Sequence, residues 1–295
     1  MKRYVPTISI LIVFVFFLSL FVGSYTINPR KLVSLLIHPG ADSQEAIILW
    51  QIRLPRALLA LIAGAGLAVA SALFQNTFRN RLADPAIIGI SPAAAFGTLI
   101  ALSIGSFAEN QVVISLFALA ATWATIGCLF YLERHSVMSN SLLILGIAIN
   151  ALFSALIAVL AQMSNNPQSR SFVSWSMGSL ATVTWPDLYL MTVVVLLAII
   201  FSVSSAKTMD LLYISDSEIR GVNESPSRIR ITAALSGGAI IALSTSVLGV
   251  FSFIGLLVPN IVKAMGFYLH RQYLLLSGAM GAVLLLISDT LARTL

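Results

Sequence analysis

The sequence predicts an all-α, polytopic membrane helix bundle of about nine spans. Hydrophobic residues make up 58% of the 295-residue chain and charged residues only 9%, against about 25% charge in an ordinary soluble domain. The mean hydropathy is +0.96. The few charges also fall at intervals, cutting the chain into apolar runs close to the roughly 20 residues that cross a bilayer. A soluble core of this size could not leave so little polar surface to face water. Residues 1–295 therefore read as a single membrane-spanning domain, with no separate soluble domain.

Taken in order, Met1-Lys2-Arg3 precede an uncharged stretch from Tyr4 to Pro29. It is long for a signal peptide and has no small-x-small cleavage site followed by a soluble domain, so a first helix is expected at 7–26. Further apolar segments place helices near 57–77, 89–107, 111–132, 141–163, 187–205, 229–250, 256–267 and 273–291. The uncharged stretch from Ser171 to Pro186 is too polar and broken for a span and reads as a short helix at the outer face. Gly249, Gly255 and Pro259 interrupt a long apolar run, predicting a helix, a break and a shorter helix. Gly64, Gly66, Ala68, Ala70 and Ala72 in the second segment, Gly237 and Gly238 in the seventh, and Gly278, Gly281 and Ala282 in the ninth predict close helix packing.

With the N-terminus inside, eleven of the 17 basic residues fall on inner loops, as the positive-inside rule favours. The other six are Arg30, Lys31, Arg53, Arg56, Arg170 and Arg293. Four of them share the first outer loop, against the insertion bias. Such a cluster is either tolerated noise or a contact for an acidic partner.

No predicted span carries an ionisable residue near its middle, which argues against an ion-coupled secondary transporter. Na⁺ sites built from carbonyls and hydroxyls stay open. Asp84 and Asp289 fall at span ends, while His38, His135 and His270 fall in loops or at interfaces and read as solvated surface histidines. Cys128 is the lone cysteine, so disulfides and cysteine-based metal sites are excluded, and no cofactor or metal is expected. The basic residues are scattered between spans and not gathered on one face, so nucleic acid is not a partner. None of the four lysines follows a phosphate-binding glycine loop, so the chain is not an ATPase and any motor is another subunit.

The longest hydrophilic segment, Lys207 to Arg230, carries its own helix punctuation. Ser215-Asp216-Ser217-Glu218 is a capping-box pattern, Gly221 suits a helix C-cap, and Ser225-Pro226 offers an N-cap followed by proline at the first helical position. Two short helices with a tight turn are expected. A mere connector needs only a few residues and no caps, so a structured inner loop points to a partner.

One stretch is more specific than the rest. From Arg53 to Ser91 the chain reads RLPRALLALIAGAGLAVASALFQNTFRNRLADPAIIGIS: a paired-arginine entry, a glycine-alanine helix ending in glutamine, and an Asn-Arg-Leu-Ala-Asp-Pro exit. It resembles the signature of bacterial iron-siderophore and vitamin B12 importer permeases, with Arg81 in place of the family's middle proline. Further matches follow in order: Ser174 to Ser179 with its tryptophan, Leu211 to Val222 ending in Arg-Gly-Val, VFSFIGLLVPNIVKAMG at 250–266, and SDTLAR at 288–293. The family usually has histidine at the position of Asn260 and arginine at that of Lys263. Polarity and charge are kept there, but the planar guanidinium fork is lost.

The resemblance implies a ten-helix permease of a binding-protein-dependent ABC importer in the bacterial cytoplasmic (inner) membrane. Two such chains, as a homodimer or heterodimer, form a pore; cytoplasmic ABC ATPase subunits dock below, and an extracytoplasmic substrate-binding protein delivers a ferric siderophore or similar chelate above. Cobalamin or haem is the alternative cargo within the class. An ion-coupled secondary transporter and a non-transporting scaffold are the alternatives outside it. By the same resemblance Arg53, Arg56 and Arg293 meet the binding protein, with lipid anchoring as the other reading. Asn80, Leu82, Ser139 and Asn140 form a cytoplasmic gate, and Leu211, Ser215, Glu218, Arg220, Gly221 and Val222 couple to the ATPase. Helix capping accounts for Ser139 and Asn140 almost as well. The family continues past Arg293 into a tenth helix, so a chain ending at Leu295 is expected to be either truncated or a divergent nine-span version.

Overall fold

The computed structural model describes residues 4–23, 31, 34, 35, 37, 43–104, 107, 110–134, 141–163 and 178–294. In chain order the helices are α1 (Tyr4–Phe21), α2 (Gln44–Ile47), α3 (Leu54–Thr77), α4 (Ile90–Ser103), α5 (Gln111–Arg134) and α6 (Ser141–Met163). They continue as α7 (Trp185–Ser204), α8 (Ala206–Met209), α9 (Asp216–Gly221), α10 (Pro226–Leu248), α11 (Ile254–Ala264) and α12 (His270–Ala292). Each of the nine apolar segments is helical. Six described helices are long and apolar enough to cross a membrane, while α1, α4 and α11 are shorter.

The second segment begins earlier than its charges suggested. α2 runs without a break through a π-helical turn at Ile48–Arg53 into α3, making one helix from Gln44 to Thr77. Arg53 and Arg56, expected in an outer loop, are therefore helical. The reason is a partner distant in the chain: Arg53 sends its guanidinium to the carbonyl oxygens of Leu20 and Phe21 at the end of α1, at 2.6 and 3.1 Å. A charge answered in this way does not break a helix.

α3 is the central helix, most of its apolar length buried, whereas α6 is almost uncovered among the described residues. In a bilayer the hydrophobic effect does not draw helices together, so close van der Waals packing must. α3 and α12 run antiparallel and meet backbone to backbone: a Cβ on Gly64 would strike the carbonyl oxygen of Gly281, and a Cβ on Gly281 that of Gly64. Only glycine permits that approach. α10 packs against α3 and α5 as well as α7.

α10 ends at Gly249, whose φ of +82° suits glycine, and Phe253 enters α11 with φ +70°. Pro259 lies inside α11 and does not end it. Ser225 accepts from the Arg228 N–H as the N-cap of the long α10, so it does not start a second short helix. The only α-helix in the inner loop between Tyr213 and Ser225 is α9, among the described residues.

Candidate coupling and gating site

The inner ends of α3, α10 and α12 meet the segment that links α7 to α10. Within it α9 is set by the expected capping box: Ser215 Oγ accepts from the Glu218 N–H at 3.3 Å, and Glu218 Oε2 accepts from the Ser215 N–H at 2.8 Å. The bond from Ser215 holds the Glu218 carboxyl below its ordinary value. Gly221 is the last helical residue, and the left-handed position falls to Asn223 at φ +60°, which corrects the C-cap expectation. Ile219 is fully buried and pins the helix down, while Glu218, Arg220, Gly221 and Val222 point outward and are exposed. Leu211 is half-buried against the core.

A carboxylate missed by sequence reading ties this helix to the bundle. Asp216 Oδ1 accepts from Arg79 at 2.7 Å and from Arg230 at 2.9 Å, and Arg230 also reaches Glu133 at 3.3 Å. Arg79 donates to the Ile214 carbonyl as well, at 3.0 Å. Arg79 sits just past α3, at φ +48°, so α9 is fastened to the loop expected to gate the pore. In that loop Asn80 Oδ1 accepts from the Leu82 N–H at 2.8 Å, and Leu82 is exposed. Asn260 donates to the Arg81 carbonyl at 3.0 Å, closing the loop onto α11. Asp84 ends it, accepting from the Ala86 N–H at 2.9 Å, and burial pushes its carboxyl above the ordinary range. Ser139 and Asn140 lie outside the described residues, as do residues 171–177 of the expected outer helix.

Behind the loop runs a polar chain that the sequence did not announce. Lys263 Nζ donates to Asn76 Oδ1 at 3.0 Å, Asn76 Nδ2 lies 2.8 Å from His270 Nε2, and His270 Nδ1 lies 2.9 Å from Asp210 Oδ1. Hydrogen-bond valence fixes its direction. An ammonium only donates, so Asn76 presents oxygen to Lys263 and N–H to His270. His270 Nε2 must then accept, which puts the ring proton on Nδ1, facing the carboxylate of Asp210. His270 is fully buried, so the expectation of a solvated surface histidine is corrected: Asp210 and Asn76 supply what water would have. The Tyr213 ring lies tilted against that of His270, at 4.9 Å between ring centroids. Burial, followed by the charge of Asp210, pushes the Tyr213 hydroxyl up to about 12, so it stays a neutral donor.

The outer end holds the three expected arginines together but turns them inward. Arg56 donates from Nη2 and Nε to Asp289 Oδ1 at 2.6 and 2.9 Å. Arg293 reaches Asp289 Oδ2 at 3.2 Å and the Ser19 carbonyl at 3.3 Å. With Arg53 on the α1 carbonyls, the cluster links α1, α3 and α12. Arg56 and Arg293 share the one carboxylate of Asp289, so among the described residues this cluster keeps an excess of positive charge.

Long apolar helices, a braced helix at the inner end and a loop fastened to it define a multi-pass membrane transport subunit. The chain belongs to the FecCD transport family, matched over residues 11–295. It is 38% identical over 253 residues to the hemin transport system permease protein HmuU of Yersinia pestis, covering 83% of this chain and 74% of that one. It is 30% identical over 297 residues to the iron-uptake system permease protein FeuC of Bacillus subtilis, covering 98% and 88%. Among solved structures, a metal-chelate type ABC transporter in an inward-facing conformation superposes with a TM-score of 0.87 at 27% identity, covering all of this chain and 91% of that one.

Proposed function

We propose that this chain is the permease of a binding-protein-dependent ABC importer that moves a ferric siderophore or related metal chelate into the cell. One observation carries the reading: the likeness to a metal-chelate type ABC transporter extends over the whole chain. The chain binds and passes its cargo without covalent chemistry. A second permease chain, a pair of cytoplasmic ATPases and an extracytoplasmic binding protein complete the assembly, in which nucleotide binding shifts the balance of inward- and outward-facing pores. α9 offers Glu218, Arg220, Gly221 and Val222 to the ATPase, with Leu211 and Ser215 holding it in place. Asp216 and Arg79 carry its movement to Asn80 and Leu82 at the gate. Arg53, Arg56 and Arg293 attract the binding protein through their excess charge, not through unused donors, because those donors already serve α1 and Asp289.

The likeness to HmuU favours haem as the second cargo to test. Proteoliposomes holding this chain with its ATPase and binding protein should accumulate an iron-labelled chelate only with ATP inside the cell-equivalent compartment. Haem accumulation alone would reassign the cargo. Uptake driven by a cation gradient with no ATPase present would overturn the proposal.

A further inference from the structure

A cavity of about 540 Å³ opens at the inner end between the Arg79–Arg81 loop, the Leu212–Ser215 segment and Lys263. That is the size of a small-ligand pocket. Its lining includes Arg79, Arg81 and Lys263 and no acidic side chain. Arg79 is paired with Asp216, but among the described residues no carboxylate lies in ion-pair reach of Arg81 or Lys263. Lys263 is only 7% exposed. A buried charge without a counterion is costly, and two cations lining one cavity repel each other.

The ammonium is also held ready. One of its three protons goes to Asn76 Oδ1 at 3.0 Å, and the face of the Tyr273 ring lies 4.8 Å away on another side. That leaves a donor for the cavity. Asn76 cannot turn its N–H toward Lys263 while His270 Nε2 needs it, and the histidine tautomer is set by Asp210. Arg81 adds a fork of donors from the opposite loop, with its own carbonyl fixed by Asn260. Tyr213 and Tyr268 stand at the rim.

We propose that this cavity is an oxyanion site that takes a phosphate group, from an anionic phospholipid headgroup or from free phosphate. Donors arriving from several elements suit a tetrahedral group better than a planar one, and arginine with lysine is the usual pairing for phosphate. The site lies at the inner membrane surface, where anionic headgroups concentrate basic side chains. It does not depend on which cargo is carried.

The test uses the full chain in phosphatidylcholine nanodiscs. The thermal midpoint is measured after adding inorganic phosphate, after adding chloride at matched ionic strength, and with part of the lipid replaced by phosphatidylglycerol. The expected result is a rise with phosphate, with phosphatidylglycerol, or with both, and none with chloride. The phosphate arm identifies free phosphate and the lipid arm a headgroup. Arg81→Gln, at an exposed side chain with no ion pair among the described residues, should weaken the response about tenfold, as expected for one lost charged hydrogen bond. Lys263→Met should abolish it, while Lys263→Arg should restore it in part. If wild type responds to neither addition, or if Arg81→Gln responds as wild type does, the assignment is wrong, whether or not Lys263→Met folds.

Discussion

Arg56 and Asp289, 233 positions apart in the chain, meet in a two-nitrogen grip at the outer end of the α3–α12 pair, with Nη2 2.6 Å from Oδ1. The Asp289 side chain is 4% exposed and that of Arg56 17%. Removing one partner strands a buried charge, which typically costs about 3 kcal/mol or more, whereas replacing both with apolar groups is often neutral. Asp289→Ala should therefore lower the thermal midpoint of the purified chain, with the triple variant Arg56→Met, Arg293→Met and Asp289→Leu falling nearer to wild type, since Arg293 shares the same carboxylate. A triple variant less stable than Asp289→Ala would show that the ionic group itself, and not the stranded charge, matters.

Gly281→Ala should be disruptive out of proportion to one methyl group. The added carbon meets the Gly64 carbonyl, a backbone atom that cannot rotate aside, and overpacking of this kind costs roughly 1–3 kcal/mol. Gly221→Ala is the contrasting case, since nothing lies within 4 Å of a Cβ there. It should leave stability unchanged or slightly raised. Thermal unfolding of both variants in one detergent checks the contrast, and equal losses would refute it.

Asp216→Ala should separate ATP hydrolysis from uptake. It removes the shared carboxylate of Arg79 and Arg230 without altering the capping box or the exposed face of α9. The ATPase should still bind and turn over, while cargo moved per ATP falls several-fold; unchanged stoichiometry would remove Asp216 from the coupling path. The Arg79 pair is exposed and contributes little to stability, but the Arg230 side chain is only 13% exposed and would keep Glu133 alone, so the thermal midpoint should fall modestly.

The cap of α9 predicts a pH response. The Glu218 carboxyl is held below its ordinary 4.5 chiefly by Ser215. A depressed carboxyl contributes stability above its unfolded value and loses it as pH falls through the folded one. Amide protection over residues 216–221, taken relative to the intrinsic exchange rate at each pH, should therefore hold down to about pH 4.5 and fall below it. Ser215→Ala should exchange faster at neutral pH and lose that dependence; a variant that keeps the same acid profile would place its origin elsewhere.

The spans and the capping box were legible because both are local: apolar length and four consecutive residues suffice to specify them. Charge was the misleading signal. Arg53 and Arg56 read as loop because their partners, the α1 carbonyls and Asp289, are distant in sequence, and a paired arginine does not stop a helix. His270 read as solvated for the same reason, since Asp210 lies 60 positions away and Asn76 194. Gly221 reads as the helix C-cap, yet the left-handed position falls to Asn223, because asparagine also tolerates that conformation. Asp216 lies inside the capping-box pattern, but nothing local tells its role from that of Glu218.

Seen as mechanics, the glycine contact between α3 and α12 makes a weld at mid-length. The two helices are clamped above it by Arg56 and Asp289 and below it by Asn76 and His270, so they move as one beam. α12 has 23 residues, giving roughly 35 Å at 1.5 Å per residue. A tilt of about 5° about the middle carries each end some ~1.5 Å, in opposite directions. A push beneath a beam that pivots at its middle would arrive at the far end with its sign reversed, without any change in the contacts between its own two helices.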